Sequence, residues 1–202
     1  LEQSYTYSGI GAIEHLFKVA SGLDSQIIGD YEILSQLKHS AKIAKECGSF
    51  NSFMERAINY ALQVSKEIKT KTKLSSGTVS VSYAAVEIIK EKIKDLTNKK
   101  ILLVGTGKFG NHIAHNLEDY LPGAIIYFAN RTDQKALELA NQYGAHFISY
   151  ENLPSAANEA DVIIVSSAAI NYTILPSFFN AGKSNLILDL SVLQNVDSAV
   201  KS

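Results

Sequence analysis

The hydrophobic and polar positions of this 202-residue chain follow a helical period in its first third. Apolar residues recur there at intervals of three and four, as on one face of an amphipathic helix. A first helix is predicted to end at Ser21-Gly22, a second to run from an N-cap at Asp30 to Gly48, and a third to end among lysines. Their apolar faces consist of Ile13, Leu16, Phe17 and Ala20 in the first, Leu34, Leu37, Ala41 and Ala44 in the second, and Met54, Ala57, Ile58, Ala61, Leu62 and Ile68 in the third.

A different pattern begins beyond residues 74–78, whose small and polar side chains make them the best candidate for a linker. Short, continuous apolar runs then alternate with helical patterns. The predicted strands are 100–104, 125–129, 146–149, 162–166 and 186–190, and the predicted helices are 81–93, 109–120, 133–143 and 173–181. Continuous apolar strands separated by helices are typical of a parallel sheet covered on both faces. The pattern therefore predicts an α/β protein in which a helical part, residues 1–74, precedes a doubly wound parallel sheet in residues 75–202.

Three glycines stand between the first predicted strand and the helix after it. Residues 105–110 read Gly-Thr-Gly-Lys-Phe-Gly directly after the apolar run 101–104. In such a G-x-G-x-x-G sequence the first glycine permits a tight turn, the second lets a pyrophosphate approach the backbone, and the third lets helix and strand pack closely. The phosphates bind the free N–H groups at the helix start. We therefore expect a Rossmann-like dinucleotide site at the carboxyl ends of the strands, where Gly105, Asn130 and Ser166 fall, rather than a glycine turn without a ligand.

The turn after the second predicted strand indicates which dinucleotide binds. An NAD site usually carries Asp or Glu there to bind the ribose 2′-OH. This strand ends instead in Asn130-Arg131-Thr132, and a guanidinium can hold a 2′-phosphate through charge-assisted hydrogen bonds. We expect NADPH; the alternatives are that Arg131 pairs with an acid elsewhere or that the turn is simply exposed, with Asp133 capping the next helix. The predicted cofactor-binding residues are Gly105, Thr106, Gly107, Lys108, Phe109, Gly110, Asn130, Arg131, Thr132, Ser166 and Ser167.

Composition and charge narrow the function classes only slightly. The net charge of −1 gives no overall field towards nucleic acid or membrane, although a local basic patch stays open. The single cysteine, Cys47, excludes an intramolecular disulfide and fits a reducing, cytoplasmic compartment. No apolar run approaches the roughly 20 residues that span a bilayer. Because the chain begins with Leu1 rather than Met, we expect it to be a fragment of a longer protein.

Two polar clusters could bind a ligand or could simply form part of the solvated surface. One run of lysines would suit nucleic-acid phosphates, but acids interleave with it, which favours a solvated charged surface. That run consists of Lys90, Lys92, Lys94, Lys99 and Lys100. His112 and His115 are three apart on a predicted helix, but no third ligand is evident in the sequence, so no metal site is predicted.

Several segments resemble glutamyl-tRNA reductases. Residues 15–30 are close to that family's pattern H-L-F-R-V-A-S-G-L-D-S-x-x-x-G-E, and the likeness continues over nearly the whole chain. Its further segments are 33–36, 69–72, 80–86, the glycine loop 105–110, the turn 130–132 and the strand end 189–192. On these motifs the chain is identified as a member of this family.

The resemblance implies an enzyme of tetrapyrrole (porphyrin and heme) synthesis that uses NADPH to reduce glutamyl-tRNA to glutamate-1-semialdehyde. In that family a cysteine thiolate attacks the activated ester, and a hydride reduces the thioester that forms. The resemblance also implies a homodimer through a C-terminal helical domain, which this chain lacks. Glutamate-1-semialdehyde aminotransferase is the expected protein partner.

The resemblance also implies roles for single residues. His15 matches the family's active-site histidine, and an imidazole exchanges protons near neutral pH, whereas a lone histidine on a helix face is otherwise more often structural. The positions that match the family's substrate-binding residues are Ser25, Asp30, Tyr31, Glu32 and Gln36. The departures from the family's pattern are Asp30 for Glu, Tyr31-Glu32 for Pro-Gln, Ser35 for Gly, and Leu193-Gln194 for Pro-Arg after Val192.

The nucleophile is the main disagreement with the family. Its cysteine precedes the histidine motif in a Thr-Cys-Asn-Arg sequence, which does not occur in these 202 residues. Cys47 follows His15 and has other neighbours, so we do not assign it a catalytic role and expect the fragment to lack turnover. Two alternatives remain open: a shikimate-type NADP-dependent dehydrogenase, whose Lys/Asp acid–base pair has no evident place in the first third, and a non-catalytic nucleotide-binding module.

Overall fold

The chain divides into two units, Leu1–Val81 and Ser82–Ser202. The computed structural model describes residues 4–25, 27–30, 32–72, 80–180, 182 and 184–201. Both the predicted linker at 74–78 and the predicted boundary after residue 74 lie outside these described residues, so the boundary stays a prediction. No helix among the described residues combines the length and the apolar character that crossing a membrane requires.

The described part of the first unit contains the three helices that the apolar stripes predict. They are α1 (Gly9–Ala20), α2 (Glu32–Glu46) and α3 (Ser52–Lys71), and α1 packs against both of the others. As predicted, Asp30 caps the start of α2, because its Oδ1 accepts the N–H of Glu32 at 2.9 Å. Gly48 ends α2 in the left-handed region, at φ +69°, where a side chain would be strained.

The second unit is built on a parallel sheet, which confirms the predicted fold class. In the described residues the sheet has five strands in the order β3-β2-β1-β4-β5, the doubly wound arrangement. The strands are β1 (Lys100–Val104), β2 (Ile125–Ala129), β3 (His146–Phe147), β4 (Val162–Val165) and β5 (Leu186–Asp189). The helices of this unit are α4 (Val81–Lys92), α5 (Lys108–Tyr120), α6 (Asp133–Gln142) and α7 (Leu153–Glu159).

Helices cover both faces of the sheet, which explains why its strands are continuously apolar. Alternate residues of β1 enter different layers: Ile101 and Leu103 join the core beneath α4, α5 and α6, whereas Leu102 and Val104 join the core beneath α7. All four side chains are buried, and each contributes about 1.5–3 kcal/mol relative to an exposed position. The glycine loop therefore begins at the end of a rigid central strand.

The connection between β4 and β5 differs from the prediction. The predicted helix at 173–181 is wrong: Ile174 bridges Val196 in an extended segment, followed by a 3-10 turn at Pro176–Phe178. The apolar side chains of this segment reach the core from an extended backbone, so their spacing imitates a helix. The sequence pattern also missed α7, a short, alanine-rich helix whose small side chains give a weak apolar pattern.

Candidate functional site

The three glycines of the loop have different steric requirements. Gly105 has a φ of +101°, and a Cβ there would lie 2.6 Å from the carbonyl oxygen of Ser166. A Cβ on Gly110 would overlap the carbonyl oxygen of Gly105, so only glycine lets α5 pack this closely on the strand end. A Cβ on Gly107 would meet nothing within 4 Å, because this position faces open space.

A cleft of about 260 Å³ opens beside this loop, where the carboxyl ends of β1, β2 and β4 meet. Its described lining consists of Val104, Gly105, Gly107, Asn130, Arg131, Thr132, Lys135, Tyr150, Ser166, Ser167, Ala168, Ala169 and Thr173. The lining thus brings together predicted cofactor residues from all three strand ends. The other predicted residues, Thr106, Lys108, Phe109 and Gly110, lie in the loop and the first turn of α5, and Phe109 packs against the core. A second cavity, of about 510 Å³, runs along β5, but its described lining contains none of the glycine loop.

Asn130 ties the loop to the turn after β2. Its Oδ1 accepts the N–H of Thr106 at 3.3 Å, and its Nδ2 donates to the carbonyl of Thr132 at 3.1 Å. Both ends of the amide are therefore engaged with the backbone, which suits a residue that shapes the cleft.

Arg131 is exposed, and no carboxylate in the described parts of the chain forms a salt bridge with it. The alternative that an acid neutralises Arg131 therefore has no support among these residues. The suggestion that Asp133 caps the next helix is wrong, because its Oδ1 accepts the N–H of Tyr150 at 2.8 Å, while Thr132 occupies the N-cap without a side-chain hydrogen bond.

The cleft offers several groups that can bind phosphate. The N–H groups of residues 108–110 open α5 and lack acceptors within the helix. Arg131 and Lys135 are the cations of the described lining, which includes no carboxylate. The buried Oγ1 of Thr106 has no hydrogen-bond partner among the described residues, so the loop offers a free polar group as well.

A hydrogen-bond network centred on the buried Asn195 lies beside the cleft after β4. Ser166 Oγ donates to the carbonyl of Gly105 at 2.9 Å, and Ser167 Oγ donates to Oδ1 of Asn195. Asn195 is fully buried; its Nδ2 donates to the carbonyl of Ala169 at 2.9 Å, and its N–H donates to Oδ2 of Asp189 at 2.8 Å. This network fixes the loop that carries Ser166 and Ser167, named the serine loop, to the end of β5.

Sequence reasoning missed several residues around this cleft, among them Lys135, Tyr150 and Asn195. Lys135 lies in the first turn of α6, four residues after Arg131, and this closeness in the sequence was a usable signal. No comparable signal marked Asn195, because its partners lie on segments distant in the sequence.

His15, in the first unit, lies in an aromatic and acidic surrounding. Its ring centroid is 4.5 Å from that of Tyr7 and 5.4 Å from that of Tyr5. Its Nδ1 is 3.7 Å from Oδ2 of Asp24, and the hydroxyl of Tyr5 donates to the same oxygen at 3.4 Å. Desolvation raises the pKa of Tyr5 above its ordinary value, and the Asp24 carboxylate adds to that rise. Asp24, three positions after Ser21, therefore lies beside His15.

The predicted substrate residues mostly make local contacts. Ser25 Oγ accepts the N–H of Ile27 at 3.2 Å, and the Asp30 carboxylate caps α2, where Glu32 and Gln36 lie. Tyr31 lies outside the described residues. The described contacts do not join Ser25, Asp30 or Gln36 to His15. Cys47 is exposed in the turn after α2.

The structure also describes the surroundings of the lysine run from Lys90 to Lys100 and of the histidine pair His112 and His115. Lys90, Lys92, Lys99 and Lys100 each lie within 4 Å of a carboxylate, as expected of a solvated charged surface. His115 does have neighbours suited to a metal: its ligand atom lies within 4.8 Å of those of Glu118 and Asp119. His112 is not part of this exposed group, so the absence of a metal site at His112 and His115 stays a prediction.

Comparison with known proteins bears on the shikimate-type alternative. Residues 1–72 match the family model for the N-terminal domain of glutamyl-tRNAGlu reductase, and residues 87–202 match the model for shikimate / quinate 5-dehydrogenase. Over 99% of its length the chain is 41% identical to glutamyl-tRNA reductase 2 of Flavobacterium johnsoniae. It is 44% identical, over 98% of its length, to glutamyl-tRNA reductase of Flavobacterium psychrophilum. The chain belongs to the glutamyl-tRNA reductase family.

The chain spans about half the length of these two relatives: it covers 46% of the first and 48% of the second. A solved glutamyl-tRNA reductase from Methanopyrus kandleri matches all of the chain with a TM-score of 0.56 and 29% identity, over 52% of its own length. Because both units align with members of one family, the shikimate-type likeness of the second unit describes its fold.

Proposed function

We propose that this chain supplies part of an NADPH-dependent reductase that converts glutamyl-tRNA to glutamate-1-semialdehyde in tetrapyrrole synthesis. One observation carries the proposal: a single chain combines the His15 motif of glutamyl-tRNA reductases with a dinucleotide cleft whose described lining has cations and no carboxylate. In this assignment residues 1–74 belong to the substrate domain, and residues 75–202 form the NADP-binding domain.

The cleft suits NADPH in particular. The N–H groups of residues 108–110 would hold the diphosphate, and Gly107 leaves room for it. Arg131 and Lys135 would hold the 2′-phosphate, which a carboxylate would repel. When bound, the cofactor supplies a hydride, and the serine loop at Ser166 and Ser167 would border its nicotinamide side.

His15 is proposed to exchange a proton during the reaction. The Asp24 carboxylate, whose Oδ2 is 3.7 Å from Nδ1 of His15, is proposed to orient the imidazole. The residues proposed to surround the glutamyl group are Ser25, Asp30, Tyr31, Glu32 and Gln36. A cytoplasmic location, a homodimer and an aminotransferase partner complete the proposal.

The test is turnover by the complete reading frame that contains this chain. We expect NADPH oxidation that depends on glutamyl-tRNA and yields an aldehyde. His15→Ala should lower kcat by about 10²–10⁴-fold, as loss of a general acid–base does. His39→Ala, which removes an exposed histidine from α2, is the matched control and should leave kcat unchanged. A complete protein that reduces no glutamyl-tRNA, or that oxidises shikimate instead, overturns the proposal.

A further inference from the structure

We propose that a groove between α2 and α3 binds the phosphate backbone of the RNA part of the substrate. This groove, named the lysine groove, is lined by Leu34, Lys38, Leu62, Gln63, Lys66 and Lys69. The inference rests on the proposed function, and it goes further by assigning a surface of the first unit to the RNA.

The lysine groove places three ammonium groups around an apolar floor. It has a volume of about 480 Å³, and Leu34 and Leu62 are half-buried in it. Lys38 comes from α2, whereas Lys66 and Lys69 are three residues apart on α3 and so lie on the same side of that helix. None of the described lining residues is a carboxylate.

The lysines of the groove differ from the other described lysines of the first unit. Each of those others lies within 4 Å of a carboxylate: Lys18 at 2.8 Å from Glu14, Lys42 at 3.9 Å from Glu46, Lys45 at 3.1 Å from Glu55, and Lys71 at 3.1 Å from Glu67. Lys38, Lys66 and Lys69 form no such pair in the described parts of the chain. Glu67 is adjacent to Lys66, but its carboxylate accepts from Lys71 and Gln63. Uncompensated positive charge therefore concentrates at the groove.

We take an RNA phosphate backbone as the occupant of this surface, because glutamyl-tRNA is the polyanion of the proposed function. With a net charge of −1, the chain offers no overall attraction to RNA, so binding has to come from a local group of cations. Four of the five lysines in the run from Lys90 to Lys100 lie within 4 Å of a carboxylate, so that run offers less uncompensated charge than the lysine groove. Its ammonium groups act as point charges on phosphates, and they need no defined side-chain geometry in the partner.

The test compares two triple variants of the complete protein for binding to glutamyl-tRNA over a range of salt concentrations. The groove variant carries Lys38→Ala, Lys66→Ala and Lys69→Ala, and the matched control carries Lys42→Ala, Lys45→Ala and Lys71→Ala. Each variant removes three positive charges from the same two helices, so the change in net charge is equal. Melting curves and NADPH binding of both variants should match the wild type, since all six side chains lie on the surface of the first unit.

We expect the groove variant to bind glutamyl-tRNA at least about tenfold more weakly at about 0.1 M salt. The slope of log affinity against log salt should become about 2 units less steep, as for the loss of three phosphate contacts. The control should keep both the affinity and the slope of the wild type. If the two triple variants lose affinity for glutamyl-tRNA equally, or if neither loses any, the proposal that the groove binds RNA is overturned, while the proposed function stands.

Two other outcomes are decisive as well. If poly-glutamate displaces the RNA from the wild type at equal charge concentration, the groove recognises acidic peptide and the inference fails. If the wild-type protein does not bind glutamyl-tRNA at all, both the groove and the proposed function fail.

Discussion

Arg131 carries the cofactor preference in this account. It lies beyond β2 at the rim of the cleft, exposed and without a carboxylate partner in the described residues. Lys135, in the first turn of α6, lines the same cleft. NADPH and NADH differ only by the 2′-phosphate. A residue that binds this phosphate therefore changes the ratio of the two affinities, whereas a residue that only shapes the cleft changes both.

Replacement of Arg131 by alanine should weaken NADPH binding by about 10–100-fold, since a hydrogen bond to a charged group contributes about 1.5–3 kcal/mol. NADH binding should change by less than about twofold, because no 2′-phosphate contact is lost. Fluorescence titration with both cofactors measures this. Arg56→Ala, which removes an arginine from α3, is the charge-matched control. If the variant weakened both cofactors equally, Arg131 would not be the residue that selects between them.

Residues with a locally determined role were the predictable ones. Gly105 and Gly110 are set by a turn and by one close approach, both encoded in six consecutive residues. Asn195 is equally important to the cleft, yet its contacts reach Ser167 and Ala169, which are 28 and 26 residues away in the sequence. Only folding brings these segments together, so local sequence carries no sign of them.

At the scale of elements, the junction of β1 and α5 is the structural core of the site. Gly110→Ala would place a methyl group against the Gly105 carbonyl, and we expect a loss of about 1–3 kcal/mol of stability and a melting temperature several degrees lower. Gly107→Ala is the control in the same loop: it meets open space and should melt like the wild type, while NADPH binding weakens. Thermal melting with and without NADPH separates the two effects.

A Gly110→Ala variant that melted like the wild type would contradict the close packing of α5 on β1. So would a Gly107→Ala variant that lost stability but kept its affinity for NADPH, because the roles of the two glycines would then be exchanged.

Elements with a clear apolar pattern were predicted best. The bounds of β1 and β2 agree with the prediction, because buried parallel strands are apolar throughout. The segment 173–181 was mistaken for a helix because its apolar residues enter the core from an extended backbone around the Ile174–Val196 bridge. Periodicity reports burial, and in an irregular connection burial does not fix the backbone conformation.

At the scale of the whole molecule, we expect the 202-residue chain to bind NADPH without reducing glutamyl-tRNA. The glycine-loop cleft lies within the second unit, whereas the family's Thr-Cys-Asn-Arg sequence does not occur in these 202 residues. Cys47 is exposed after α2 and follows His15 in the sequence, whereas the family's cysteine precedes the histidine motif.

We therefore expect the purified 202-residue chain to show no NADPH oxidation with glutamyl-tRNA above background, in contrast to the complete reading frame. In the complete protein, Cys47→Ser should leave kcat within about twofold of the wild type, because this thiol takes no part in covalent catalysis. Steady turnover by the chain alone, abolished by Cys47→Ser, would contradict this and return Cys47 to the active site.

Calorimetric titration of the 202-residue chain with NADPH tests the central claim most directly, since that claim is a cofactor site built within its second unit. The account predicts saturable binding of one NADPH per chain and a higher melting temperature in its presence. No heat of binding, together with a melting curve that NADPH leaves unchanged, would contradict it.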